Sequence, residues 1–176
     1  MNRILLFLAL CTPALISTAQ TETSKMLSMI GKSIQEVNGI LQQAPEWKGF
    51  SATYFKTGDG GFKMRYEPRG NESMSTQELL DERYLIELFV YENYFNYFEN
   101  DMPFELTPGK PFKECLKGLK KRDDIQDLDP DKNKNYIEFI YTGMSPYSDK
   151  NGIAIRLEFH WGDSYPFRSI ELKKPE

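Results

Sequence analysis

The chain has 176 residues, with 22 basic and 26 acidic side chains, and a formal net charge of −4 at pH 7. This length suits one compact domain, or two very small domains packed together. An acidic balance argues against nucleic-acid binding, which needs clustered lysine and arginine to displace counterions.

The first nineteen residues are typical of a secretory signal peptide. Arg3 precedes an apolar run from Ile4 to Leu10, and small residues lead up to Ala19. The run is shorter than the roughly 20 residues that cross a bilayer, so we expect cleavage after Ala19 and no transmembrane segment. The mature protein would then be periplasmic or secreted. An alternative is lipidation at Cys11, although the preceding leucine is bulkier than that modification prefers.

Cleavage would leave Cys115 as the one cysteine of the mature chain. An intramolecular disulfide could not then form, despite the oxidising destination. Aromatic residues make up 14% of the chain and offer a large buried area per residue. We therefore expect the hydrophobic core alone to hold the fold together.

The first predicted element of the mature chain is a helix from Ser24 to about Gln43. Apolar residues lay one stripe along it: Ile30, Ile34, Val37 and Leu41. Pro45 marks its end. A hairpin follows, with predicted strands Phe50–Lys56 and Phe62–Glu67 around a glycine-rich loop.

The segment from Tyr84 to Glu99 is open to two interpretations. As a helix, it would carry one apolar stripe, made of Leu80, Tyr84, Leu88, Tyr91, Phe95 and Phe98. As a hairpin, Tyr84–Tyr91 would pair with Tyr94–Phe98. The β-branched and aromatic content favours the hairpin. Ser75 and Glu78 have the spacing that caps a short helix just before it.

The second half of the chain begins with a predicted helix from Lys110 to about Lys121. Strands are predicted after it at Tyr136–Thr142, Gly152–Trp161 and Phe167–Lys173. In the second of these, apolar and polar residues alternate strictly, which is typical of an antiparallel sheet with one buried and one solvated face. We predict an α+β fold, with helices on one face of an antiparallel sheet.

A short pattern occurs twice. Gly31 to Val37 and Gly109 to Cys115 share the order Gly-Lys-x-apolar-x-Glu-apolar, 78 positions apart. A leucine follows each copy at the same spacing. This repeat predicts two tandem helix-plus-meander units, with halves 24–100 and 101–176 inside one domain spanning 20–176. The alternative is that so short a match arose by chance.

These features carry a resemblance to known families. A helix opened by a glycine-containing turn, followed by a meander of strands and present twice, resembles the beta-lactamase-inhibitory-protein-like architecture. A single such unit is similar to small outer-membrane lipoproteins of the BamE type. The stretch from Met102 to Gly109, with Glu114 and Cys115, is similar to the opening of many bacterial immunity-type and envelope proteins. The resemblances imply an inhibitor, an immunity protein or an envelope assembly factor.

Catalytic chemistry finds little support in the residues. His160 is the only histidine, and strand alternation places it beside Arg156 and Glu158 on the solvated face. Nucleophilic catalysis would need a serine or cysteine partner and an orienting carboxylate beside it. A carboxylate pair such as Glu158 with Asp163 would serve an enzyme only at a defined separation in a cleft. We therefore predict that the protein is not an enzyme.

One acidic stretch has the spacing of a calcium loop. Asp127, Asp129, Asp131 and Glu138 stand at positions 1, 3, 5 and 12 of that pattern, which supplies oxygen ligands around one ion. Lys132 occupies the position where glycine permits the sharp turn. The alternative is an acidic, solvated loop. No cofactor is expected, with Ca²⁺ as the alternative.

The expected function is binding to another protein: a toxin, a hydrolase or an envelope component. Between Tyr91 and Phe98 there are more aromatic rings than one face of an element can bury, and exposed Tyr and Trp bind partners with little entropy loss. The predicted partner-binding residues are Lys63, Arg65, Tyr91, Tyr94, Arg156, Glu158, His160 and Trp161. The alternative is an envelope assembly factor of the BamE type.

Overall fold

A computed structural model describes residues 24–48, 51–57, 60–68, 83–98, 102–131, 135–147, 151–161 and 166–175. Three features of the sequence lie outside these residues. They are the predicted signal segment 1–19 with Cys11, the cap predicted at Ser75 and Glu78, and Asp163.

The described elements are short helices and eight strands. The helices are α1 (Lys25–Met29), α2 (Ile34–Leu41) and α3 (Phe112–Leu119), with 3₁₀ helices at Glu92–Phe98 and Pro103–Glu105. The strands are β1 (Glu46–Lys48), β2 (Ser51–Thr57), β3 (Gly60–Pro68), β4 (Arg83–Tyr91), β5 (Ile125–Asp131), β6 (Tyr136–Tyr141), β7 (Ile153–Phe159) and β8 (Phe167–Lys173).

The strands form one antiparallel sheet in the order β1-β2-β3-β4-β8-β7-β6-β5. Each half of the chain supplies a four-stranded meander, and the two meanders join where β4 pairs with β8. The predicted α+β class, an antiparallel sheet with short helices, is confirmed.

Aromatic contacts fasten the helices to one face of the sheet. Phe112 of α3 packs edge-on against Phe159 of β7, with ring centroids 5.0 Å apart. Phe95 of the first 3₁₀ helix stacks on Phe167 of β8 at 4.9 Å. Both ring pairs belong to the buried core, which also takes in Val37 of α2. Each such side chain contributes about 1.5–3 kcal/mol by its burial.

The helix predicted from Ser24 to Gln43 is wrong in one respect, because the chain breaks it into α1 and α2. Gly31 adopts φ 77° at the break. Its N–H donates to the carbonyl of Leu85 at 2.8 Å, and the N–H of Leu85 donates to the carbonyl of Lys32 at 2.9 Å. The sheet thus takes hydrogen bonds that a continuous helix would have kept.

A capping box starts α2, and it has a testable pH dependence. The Ser33 N–H donates to Glu36 at 2.8 Å, and the Glu36 N–H donates to the Ser33 hydroxyl at 3.3 Å. The backbone bond from Ser33, followed by the Lys32 ammonium, lowers the pKa of Glu36 to about 2 from about 4.5. The charge therefore stabilises the fold above pH 4.5, and this contribution is lost as the pH falls through 2.

We expect Glu36→Gln to cost at most about 1 kcal/mol at pH 7, since the site is exposed and solvent screens it. Urea titrations of both proteins from pH 7 to pH 2 would measure the difference between their free energies of unfolding. This difference should shrink toward pH 2, whereas a difference independent of pH would contradict a role for the charge.

The segment Tyr84–Glu99 is neither of the two predicted structures. Its first part forms β4, as the hairpin interpretation requires, but Glu92–Phe98 turns into a 3₁₀ helix. The predicted return strand cannot pair, because β4 already has β3 on one side and β8 on the other. The 3₁₀ helix instead carries Phe95 and Phe98 into the core.

Two strands were not predicted, and both lie at edges of the sheet. β1 has only three residues, too few to show alternation. β5 is rich in aspartate and contains Pro130, so the sequence predicted a loop there. An edge strand tolerates proline, and charged side chains protect it from pairing with other chains.

The two halves share details of backbone geometry. Gly31 and Gly109 both have φ 77°. Two residues later, Ser33 forms an isolated bridge with Tyr84, and Pro111 forms one with Pro166. The Lys110 carbonyl accepts from the Phe167 N–H at 3.0 Å, which matches the bond from Leu85 to Lys32. Tyr84 at the start of β4 therefore corresponds to Pro166 at the start of β8.

This correspondence continues through the sheet. The β3–β4 ladder shifts register between Arg65 and Tyr66, and the β7–β8 ladder shifts between Glu158 and Phe159, at corresponding positions. Phe89 of β4 corresponds to Glu171 of β8, and these two residues face each other where β4 meets β8. A local two-fold axis therefore passes through the centre of the sheet between them.

Candidate functional site

The sheet face opposite the helices is lined by polar and aromatic side chains, and we call it the open face. Its central members come from β3, β4, β6, β7 and β8, and each is exposed or half-buried: Lys63, Arg65, Glu87, Phe89, Tyr91, Glu138, Arg156, Glu158, Glu171 and Lys173. Successive side chains of a strand point to opposite faces of the sheet, so these residues alternate along each strand with residues buried on the other face. Of the predicted partner-binding residues, Lys63, Arg65, Tyr91, Arg156 and Glu158 belong to this set.

Arg156 is held in place by three neighbours. Its guanidinium lies 4.2 Å from the ring centre of Tyr136, and its nitrogens lie 3.5 Å from Glu138 and 3.6 Å from Glu158. The buried Ser169 hydroxyl donates to Glu158 at 3.0 Å. Sequence reasoning missed Tyr136 and Ser169, although the strand register places both beside Glu158 on this face.

A second ion pair lies on the other half of the face. Arg65 of β3 contacts Glu87 of β4 at 2.9 Å, and both are cross-strand partners. Arg65 is exposed and Glu87 is half-buried, so solvent screens the pair and it adds little to stability. It nevertheless holds one arginine in a defined position on a rigid strand.

Two aromatic rings lie on the open face at the meeting of the two halves. Phe89 and Tyr91 of β4 pack edge-on, with ring centroids 4.6 Å apart and an angle of 78°. Such a pair is a preferred arrangement of aromatic quadrupoles. Both rings are half-buried, so part of each remains accessible to a partner.

Tyr94 requires a correction. It was predicted to contact a partner, but the 3₁₀ helix turns its side chain into the core, where 4% is exposed. Tyr97 of the same helix is 45% exposed, and Trp161 is 72% exposed. The aromatic surplus does reach the surface, as predicted, but through Tyr97 rather than Tyr94.

His160 lies at the end of β7, where its Nε2 is 2.8 Å from a Glu92 carboxylate oxygen. This contact spans the end of β8 and ties the two halves of the sheet together. The thiol of Cys115 belongs to the core on the opposite face, and burial raises its pKa to about 11. At neutral pH it is therefore a protonated thiol, not a nucleophilic thiolate.

The acidic stretch proposed as a calcium loop is mostly strand. Asp129 on β5 faces Glu138 on β6 across an antiparallel ladder, and Asp127 lies at a register shift with φ 49°. Among the described residues, which leave out 132–134, no group of three or more His, Cys, Asp or Glu is placed to hold a metal ion. Within the same part of the chain, the helices are too short and too polar to cross a membrane.

Comparison with known proteins adds nothing to this picture. No family model, curated protein or solved structure matches the chain.

Proposed function

We propose that this protein is an exported, non-catalytic protein-binding module of the cell envelope, of the inhibitor or immunity type, and that it docks through the open face. One observation carries the proposal. The accessible ring pair of Phe89 and Tyr91 lies between two arginines that are already fixed by ion pairs, Arg65 and Arg156.

This arrangement suits recognition of a folded partner. Aromatic and arginine side chains contribute most of the binding energy at protein interfaces. Side chains already held in one geometry lose less conformational freedom on binding, and a sheet holds them more rigidly than a loop would. Export is supported by the charged residue and apolar run of the first nineteen residues.

The proposal is tested by reversing charge on the open face. Lys63 and Arg65 are exposed there, and Lys113 and Lys117 are exposed on α3 at the opposite side of the molecule. Lys63→Glu with Arg65→Glu should change the affinity for the same envelope protein about tenfold or more, because it reverses the charge that this part of the open face presents to the partner. Binding of one purified partner, first recovered with the wild-type chain, would be measured by titration.

The control is Lys113→Glu with Lys117→Glu, which makes an equal change in net charge. It should bind like the wild type. Equal binding by both double variants would reject the open face as the docking site. Arg156 is left unchanged because its loss would expose Tyr136 and remove the ion pairs with Glu138 and Glu158.

A further inference from the structure

Glu171 lies at the centre of the open face and has no direct partner among the described residues. Its cross-strand neighbours are Phe89 on β4 and Arg156 on β7. The contacts of Arg156, however, go to Glu138 and Glu158. Within the described part of the chain, the Glu171 carboxylate makes no hydrogen bond or ion pair.

The surroundings disfavour the charge on this carboxylate. Burial raises the pKa of Glu171, and the nearby carboxylates Glu87 and Glu158 raise it further. Lys173 and Arg156 act in the opposite direction without cancelling the effect. A cation placed against Glu171 would stabilise the charged form of this carboxylate.

The two halves of the open face differ in charge where they correspond in structure. Glu171 stands at the position of Phe89, and Glu158 at that of Arg65. On the face of the sheet that the helices cover, by contrast, Leu88 corresponds to Ile170 and both residues are apolar. Among the described residues of β5 to β8, these carboxylates lie on the open face near Arg156 and Lys173: Asp129, Asp131, Glu138, Glu158 and Glu171.

The aromatic rings beside Glu171 add a second attraction for a cation. Phe89 faces Glu171 directly across the ladder, and Tyr91 packs against Phe89. An ammonium or guanidinium group over an aromatic face is attracted by the ring quadrupole. A carboxylate next to such a ring can form an ion pair with the same ammonium or guanidinium group and accept its hydrogen bonds.

We propose that Phe89, Tyr91 and Glu171 form a subsite that receives one lysine or arginine side chain of the protein partner. This inference rests on the proposed function. The subsite lies on the local two-fold axis, at the middle of the open face, where the groups that dominate interface energies cluster. The acidic half around it suits a partner whose surface near that side chain is basic.

The test uses the full chain and a small probe, acetyl-Gly-Lys-Gly-amide. Its binding would be followed in every variant by the ¹³C shifts of the Phe89 and Tyr91 rings, and in the wild type also by the shift of the Glu171 carboxyl group. We expect a saturable shift with a dissociation constant on the order of millimolar, as suits one side chain. The apparent pKa of Glu171 should fall when the probe is bound, because the cation favours the carboxylate.

Three controls separate the explanations. The norleucine analogue of the probe keeps the four-carbon side chain of lysine without the ammonium group and should cause no shift. Glu171→Gln should weaken probe binding about tenfold, as loss of a charged hydrogen-bond partner does. Glu114→Gln, on the exposed side of α3, should leave it unchanged.

Absence of a saturable shift, or an equal shift with ammonium chloride alone, would overturn the subsite. Neither result bears on docking through the open face, which the charge-reversal experiment decides separately. Conversely, probe binding to Glu171 with unaltered partner capture by Lys63→Glu with Arg65→Glu would preserve a cation site and reject the docking proposal.

Discussion

Replacement of Phe167 by alanine is expected to lower the free energy of unfolding by about 3–5 kcal/mol. Phe167 is fully buried on β8, stacks on Phe95 at 4.9 Å and touches Phe159 at 5.9 Å between ring centroids. Phe95 lies on the 3₁₀ helix that follows β4, whereas Phe159 and Phe167 lie on β7 and β8. The cavity would therefore open where the two halves of the sheet meet. Urea denaturation followed by fluorescence or circular dichroism would measure the loss.

Arg168 provides the matched control on the same strand. Its side chain is exposed, so Arg168→Ala should change stability by no more than about 0.5 kcal/mol. A loss below about 1 kcal/mol for Phe167→Ala would contradict this packing, since removal of a buried ring typically costs about 3–5 kcal/mol.

Substitution of the two corresponding glycines by alanine should have unequal effects. Gly31 and Gly109 share φ 77°, a conformation that costs an alanine about 1–2 kcal/mol. A Cβ on Gly109 would meet nothing within 4 Å, whereas one on Gly31 would lie 2.8 Å from the Pro146 Cβ and 3.0 Å from its carbonyl oxygen. The Gly31 variant therefore adds an overpacking cost of about 1–3 kcal/mol.

Each glycine variant serves as the other's control, because the backbone strain is common to both. Thermal melts under identical conditions would compare them. Equal destabilisation would show that the Pro146 loop moves aside without cost. A more severe loss for Gly109→Ala would contradict the geometry of both turns.

Some of the structure could be predicted because it depends on neighbours in the sequence. The alternation of β7 and the boundaries of β8 follow from residues two apart, and Phe167–Lys173 was predicted with its observed bounds. The helix α3 likewise follows from apolar residues at helical spacing. The same alternation placed Arg65, Arg156 and Glu158 on a solvated face.

Other features depend on contacts between distant parts of the chain. The break in the first helix arises from hydrogen bonds between Gly31 or Lys32 and Leu85, which no local pattern reveals. The 3₁₀ helix after β4 forms because both edges of β4 are already occupied. In the part of the chain that the structure describes, the Glu171 carboxylate has no direct partner because Arg156 pairs with Glu138 and Glu158 instead.

The amino-acid sequence by itself determined which residues of each strand are apolar, where the repeated glycine turns fall, and that the solvated side would be charged. These properties are local, since they depend on side-chain chemistry at periods of two or of three to four residues. Only the tertiary structure decided that β4 meets β8, and hence that Phe89 lies against Glu171. The sum of pairing and packing energies over the whole sheet selects that register.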